Sequence, residues 1–139
     1  MSEVYIHKAA AIFLDDKGRL MVSKDKGSTK WQMLGGAIEP GETQLECLKR
    51  ELREELDVEI EVDPKMYRQT SPFAAANDPD KKVVLYLYYC KLLGEPKLIE
   101  HVEALHWLTK DDAQSGKFEF SEVMNKFILP LLIKEKILA

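Results

Sequence analysis

One stretch constrains this chain more than any other, residues 35–58, GGAIEPGETQLECLKRELREELDV. The pair Gly35-Gly36, followed by Pro40-Gly41-Glu42-Thr43, has the composition of a tight loop that presents backbone carbonyls and amides to the start of a helix. At roughly 100° per residue, a helix over residues 43–56 gathers Leu45, Leu48, Leu52 and Leu56 into one narrow arc, the stripe it buries. Glu51, Glu54 and Glu55, related as i, i+3 and i+4, share a neighbouring face. Like charges held side by side weaken a helix unless a cation sits between them, and hard oxygen donors of this kind suit Mg²⁺ or Mn²⁺.

Glutamate is also a good helix former, and acidic solvated faces are common. Charge pairing argues against so plain a role here. Arg50 can pair with Glu46 or Glu54, whereas Glu51 and Glu55 have no basic residue at the favoured spacing that is not already shared. The glycine loop ahead of the helix is the second argument, because a solvated acidic face has no need of it.

Residues 36–58 resemble the signature of the Nudix hydrolases, G-x5-E-x7-R-E-U-x-E-E-x-G-U, in which U is a bulky aliphatic residue. Gly36, Glu42, Arg50, Glu51, Leu52, Glu54, Glu55 and Val58 fall in register, and Asp57 alone departs, standing where the family has its last glycine. That glycine closes a helix in the left-handed conformation, which Asp tolerates better than most residues, so a small stability cost and an intact site are expected. Leu34 stands where the family often has proline. The resemblance implies an α/β fold, an α/β/α sandwich whose mixed β-sheet carries helices on both faces. It also implies that Glu54 and Glu55 are the principal metal ligands. Glu51 would be a further ligand or a water-orienting carboxylate, and the main-chain carbonyl of Gly35 or Gly36 another donor. Glu42 and Arg50 are expected to act as a supporting pair, since Arg can hold a carboxylate bidentately. A general base outside the motif would come from nearer the C-terminus, where Glu100 and Glu103 are the candidates.

The rest of the chain supplies the frame. With 139 residues and a formal charge of −4, it is expected to be one domain, residues 1–139, and no binder of long nucleic acid. The N-terminus lacks a basic segment followed by an apolar run, and no apolar stretch is long enough to span a membrane, so a cytoplasmic location is expected. Cys47 and Cys90 read as reduced, partly buried thiols. Residues 4–14 read as a strand buried on much of both faces, turning at Asp15-Asp16-Lys17-Gly18 to pair with residues 19–24. Residues 31–34 read as a short strand ending at the glycine pair, and residues 58–62 and 66–73 as further strands, the last leading to a loop over 74–81. Residues 82–93, KVVLYLYYCKLL, are expected in the middle of the sheet, with one more strand over 104–108 and a short capped helix from Thr109. From Ser121 the apolar spacing is helical, with Pro130 expected to kink or restart it.

Hydrolysis of a phosphoanhydride needs charge neutralised on the diphosphate, an activated water and orientation of both, which carboxylate-held divalent cations supply. The expected activity is Mg²⁺-dependent (or Mn²⁺-dependent) hydrolysis of a nucleoside diphosphate linked to another group, with a nucleoside triphosphate pyrophosphohydrolase preferred for the small size of the chain. ADP-ribose, nucleotide sugars, dinucleoside polyphosphates and RNA ends present the same diphosphate, and a nucleotide-binding module on this scaffold is the non-enzymatic alternative. Lys24, Lys26 and Lys30 can meet phosphates, Lys24 foremost. Trp31, Phe73 or Phe120 can stack on a base and Asn125 can bond its edge, though packing is the plainer role. His7, His101 and His106 share no ligand spacing and are given no role. A monomer or homodimer is expected.

Overall fold

The first strand sets the layout, because its side chains alternate between two interiors. The computed structural model describes residues 4–75, 78–99 and 101–139. Within them, Ala9, Ala11 and Phe13 point into one apolar cluster, and Ala10 and Ile12 into another. A strand covered on both faces lies inside a layered fold. The elements in order are β1 (Val4–Phe13), β2 (Leu20–Asp25), β3 (Trp31–Gln32), β4 (Leu34–Ala37), α1 (Gln44–Leu56), β5 (Ile60–Val62), β6 (Arg68–Gln69), β7 (Phe73–Ala75), β8 (Asp78–Leu92), β9 (Val102–Leu108) and α2 (Lys110–Gln114), then π-helical turns over Met124–Ile128 that run into α3 (Leu129–Lys134).

β1 and β8 run parallel at the centre of the larger, mixed sheet. β4 flanks β1, while β5, β6 and β7 pair with β8, all antiparallel. The smaller sheet has the order β3-β2-β9. Helix α1 covers the cluster that includes Ala9, Phe13, Val58 and Tyr88, and the C-terminal helical segment covers the one that includes Ile12, Leu87 and Leu108. The α/β class with helices on both faces follows directly.

Several local expectations change. The turn over residues 15–18 forms, but β1 and β2 share only the isolated bridge Leu14↔Leu20, after which β2 leaves for the second sheet and pairs with β9. The strand before the glycine pair divides at Met33, and β4 runs through both glycines. Residues 66–73 yield only the two-residue β6 and the start of β7, and β8 begins at Asp78, inside the segment read as a loop.

Helix α1 begins at a reciprocal cap: Thr43 Oγ1 accepts from the Glu46 N–H at 3.1 Å, and Glu46 Oε1 accepts from the Thr43 N–H at 2.9 Å. It ends at Asp57 in the left-handed conformation, φ 48°, ψ 47°, as the departure from glycine required. Leu48, Leu52 and Leu56 are fully buried, each contributing about 1.5–3 kcal/mol, but Leu45 is only partly covered and Cys47 takes its place in the core. Both thiols are free and buried. Pro130 is absorbed by a change of helical pitch. The Leu129 N–H reaches back to the Met124 carbonyl, and the π-turns give way to α3, in whose first turn Pro130 has no N–H to give. Among the described residues, no helix is long and apolar enough to cross a membrane.

Candidate active site

β4 carries the glycine pair past β1, with Gly35 opposite Ala10 and Gly36 opposite Ala9. Gly35 has φ 139°, and a side-chain carbon there would strike the Ala9 carbonyl oxygen. At Gly36 the constraint is space alone, because a Cβ would fall on the Glu51 carboxylate. The bare glycine edge is therefore what lets α1 lay Glu51 against the strand.

A cleft of about 240 Å³ opens beside this contact. Its lining includes the acidic group Glu51, Glu55 and Asp25 with His101, and the glycines Gly35 and Gly36. Apolar lining comes from Met33, Ala74, Val83, Leu85 and Val123, and Lys8 and Ser121 complete it. Glu55 is only 8% exposed. Burial, then the neighbouring Glu51 and Asp25 carboxylates, pushes it up to about 8, with Lys8 opposing the rise. His101 Nε2 lies 3.8 Å from Glu55 Oε1 and 3.7 Å from Asp25 Oδ1.

Arg50 organises the other carboxylates. Its guanidinium donates to both oxygens of Glu42, at 2.6 and 2.9 Å, to Glu51 at 2.9 Å, to Glu54 at 3.1 Å and to the Ala37 carbonyl at 3.0 Å. Those bonds, together with the Glu39 N–H, hold the Glu42 carboxyl down to about 2. The loop over residues 37–42 is thereby tied to the helix, a geometry suited to a positioning group.

Of the residues singled out from sequence, the structure brings Glu51, Glu55, Gly35 and Gly36 to the cleft, while Glu54 stays at the rim on Arg50, 48% exposed. Helical geometry explains the split. Glu54 lies roughly opposite Leu52 and Leu56 on the helix, whereas Glu51 and Glu55 flank that stripe. Among the described residues, no three His, Cys, Asp or Glu side chains converge as a ready-made metal cage. The donor set nevertheless fits a hard divalent cation. Glu51 and Glu55 supply carboxylate oxygens, and the Gly36 carbonyl lies on the same strand edge.

Other expectations change more. Glu103 is half exposed and pairs with Lys24 at 3.4 Å, and neither lines the cleft. Lys24 also lies over the Trp31 ring, 5.5 Å from its centroid, which occupies the cation that sequence offered to phosphate. Glu100 lies outside the described residues. Phe120 is buried in the C-terminal cluster, Trp31 packs with His106 and Phe118, and Phe73 meets Phe127 edge-on. Asn125 is exposed and donates to the Phe120 carbonyl at 3.5 Å. His7 bonds the Tyr86 hydroxyl and His106 bonds Asp112. Sequence reasoning missed Lys8, Asp25, His101 and Ser121 as lining residues. Only Lys8 carried a local signal, a lone charge entering the apolar run Ala9-Ala10-Ala11.

Cys47 touches the site without facing it. Its thiol donates to the Gly36 carbonyl at 3.3 Å, and burial pushes it up to about 11. Serine can keep that donation, so Cys47→Ser is expected to retain most of the hydrolytic rate in a steady-state assay.

Comparison with known proteins adds four findings. A family model described as the NUDIX domain matches residues 5–129. A MutT-like protein of Streptomyces ambofaciens is 26% identical over 113 residues, spanning 79% of this chain and 68% of that protein. Nucleoside triphosphatase NudI of Enterobacter sp. (strain 638) is 52% identical over 33 residues, which make up 24% of this chain and only 23% of that protein. The MutT protein from Methanosarcina mazei Go1 shares the fold, with a TM-score of 0.78 at 19% identity over 98% of each chain.

Proposed function

The chain belongs to the Nudix hydrolases, pyrophosphohydrolases acting on acid anhydrides, and from that premise we propose that it is a Mg²⁺-dependent nucleoside triphosphate pyrophosphohydrolase that releases a nucleoside monophosphate and pyrophosphate. The observation that carries the reading is the Glu51 carboxylate seated on Gly36 at the mouth of a cleft whose second carboxylate, Glu55, is buried. The preference for a triphosphate is supported by the size of the cleft. About 240 Å³ lies below the usual range of roughly 300–1,000 Å³ for small-molecule pockets, so one nucleoside fits better than two. Likeness to a MutT-like protein and to a stretch of a nucleoside triphosphatase points the same way.

In this reading Glu51 and Glu55, with the Gly36 carbonyl, hold the cation, and Glu54 joins them from the rim. When bound, Mg²⁺ neutralises charge on the diphosphate and makes the attacking water more acidic. The protein's own part is orientation. Arg50 fixes Glu51 through a bond of 2.9 Å and holds the loop by Glu42, so the carboxylates need little reorganisation when substrate arrives. The apolar lining residues Met33, Val83, Leu85 and Val123 suit the cleft to a nucleoside.

Incubation with Mg²⁺ and a panel of nucleotides, with phosphate and pyrophosphate release scored separately, tests this directly. Glu54→Gln is expected to lower turnover by roughly 10²–10³-fold while the circular dichroism spectrum stays the same. Tight nucleotide binding without turnover in the parent protein would replace the enzyme with a binding module.

A further inference from the structure

The cleft carries two polar groups without a protein hydrogen-bond partner among the described residues. Lys8 is half-buried there and makes no hydrogen bond or ion pair among the described residues. Ser121 is 4% exposed, and its hydroxyl is a buried side-chain oxygen without a partner among the described residues. It stands just before the helical turn that starts at Glu122, where serine ordinarily caps a backbone N–H, yet it makes no such bond. A buried hydroxyl is rarely left unsatisfied without a reason, and Ser121 shares its cavity with the half-buried Lys8 and with Val83, Leu85 and Val123. Lys8 lies on the same face of β1 as Ala10, opposite Leu85 of β8, and its charge also reaches Glu55.

We propose that Lys8 and Ser121 read the edge of the substrate's base, and that Lys8 makes the site prefer bases presenting a carbonyl oxygen there (uracil, guanine, hypoxanthine) over those presenting an exocyclic amino group (cytosine, adenine). The proposal rests on the triphosphatase reading above. An ammonium can only donate, so a carbonyl oxygen satisfies it, whereas an amino group sets donor against donor. The serine hydroxyl rotates to donate or accept and tolerates both classes, so it adds affinity without choosing. One cation at a half-buried position gives a modest selectivity, about 10–100-fold, far below that of a fully enclosed polar site.

The test compares kcat/KM for UTP with CTP, and for inosine with adenosine triphosphate, in the parent protein, Lys8→Met and Ser121→Ala. The parent is expected to favour the carbonyl member of each pair by about 10–100-fold. Lys8→Met should bring both ratios to about one, and Ser121→Ala should raise KM for all four with the ratios kept. A Lys8→Met loss shared equally by all four substrates would assign Lys8 to the phosphates, and unchanged ratios would leave it a structural residue; either overturns the proposal. Titration of UMP and CMP without metal, followed by NMR, separates the two layers. A UMP preference with no turnover of any triphosphate would sink the triphosphatase reading alone, and equal shifts for both would sink the base preference alone.

Discussion

Glu55→Gln is expected to lower nucleotide turnover by roughly 10³-fold and at the same time to raise the melting temperature of the metal-free protein above neutral pH. The two effects have one origin. Glu55 is buried beside Glu51 and Asp25, which lifts its carboxyl from 4.5 to about 8. Below pH 4.5 the folded and unfolded chains both carry the proton. Between 4.5 and about 8 the folded chain keeps a proton that the unfolded chain has released, so stability falls as pH rises through that window. Glutamine has the same shape and no charge to bury, and its amide can donate to the carboxylates that repelled the glutamate. The variant should therefore show a flatter dependence of melting temperature on pH between 5 and 9.

Mg²⁺ sharpens the contrast. A cation that binds the folded chain stabilises it by mass action, so the parent should gain melting temperature on addition of Mg²⁺, most at the alkaline end, and Glu55→Gln should gain much less. Calorimetric scans with and without Mg²⁺ read both effects. A parent profile flat from pH 5 to 9, or full turnover in the variant, would remove Glu55 from the site.

What could be read from the sequence follows the range of the forces involved. Most of the α1 stripe, the left-handed Asp57 and the glycine edge are written within 24 consecutive residues, from 35 to 58, and each appears in the structure. The partner of β2 was not legible, because Leu20 meets Leu108 across most of the chain and nothing near residue 20 announces it. For the same reason Asp25 and His101 escaped notice: β2 and the entry to β9 bring them together, and neither spacing nor composition does. In the sequence the three glutamates read as one broad face. Their distance from the leucine stripe divides them, since Glu55 beside the stripe is buried and Glu54 opposite it stays at the rim. Lys24, near the end of β2, lies 3.4 Å from Glu103, a neighbour that β9 brings to it and that no spacing in the sequence announces.

Gly36→Ala is expected to remove most of the activity without touching any carboxylate. The added methyl would occupy the space now filled by the Glu51 carboxylate, and β4 cannot retreat, because Gly36 is registered against Ala9 while Gly35 already lies against the Ala9 carbonyl. Glu51 must then swing away, breaking its 2.9 Å bond from Arg50 and leaving the edge of the cleft. A displacement of about 1 Å at a reacting centre costs roughly 10²-fold, so kcat should fall at least that far while KM changes less. If the whole effect passes through Glu51, Glu51→Ala and the double variant Gly36→Ala/Glu51→Ala should turn over at the same rate. Gly94→Ala is the control. A Cβ there meets only Val58, at an ordinary 3.8 Å, and turnover should not change. Multiplying losses in the double variant would mean that Gly36 acts by some route other than seating Glu51. An active Gly36→Ala protein would mean that the contact between strand and helix does not set the reaction geometry.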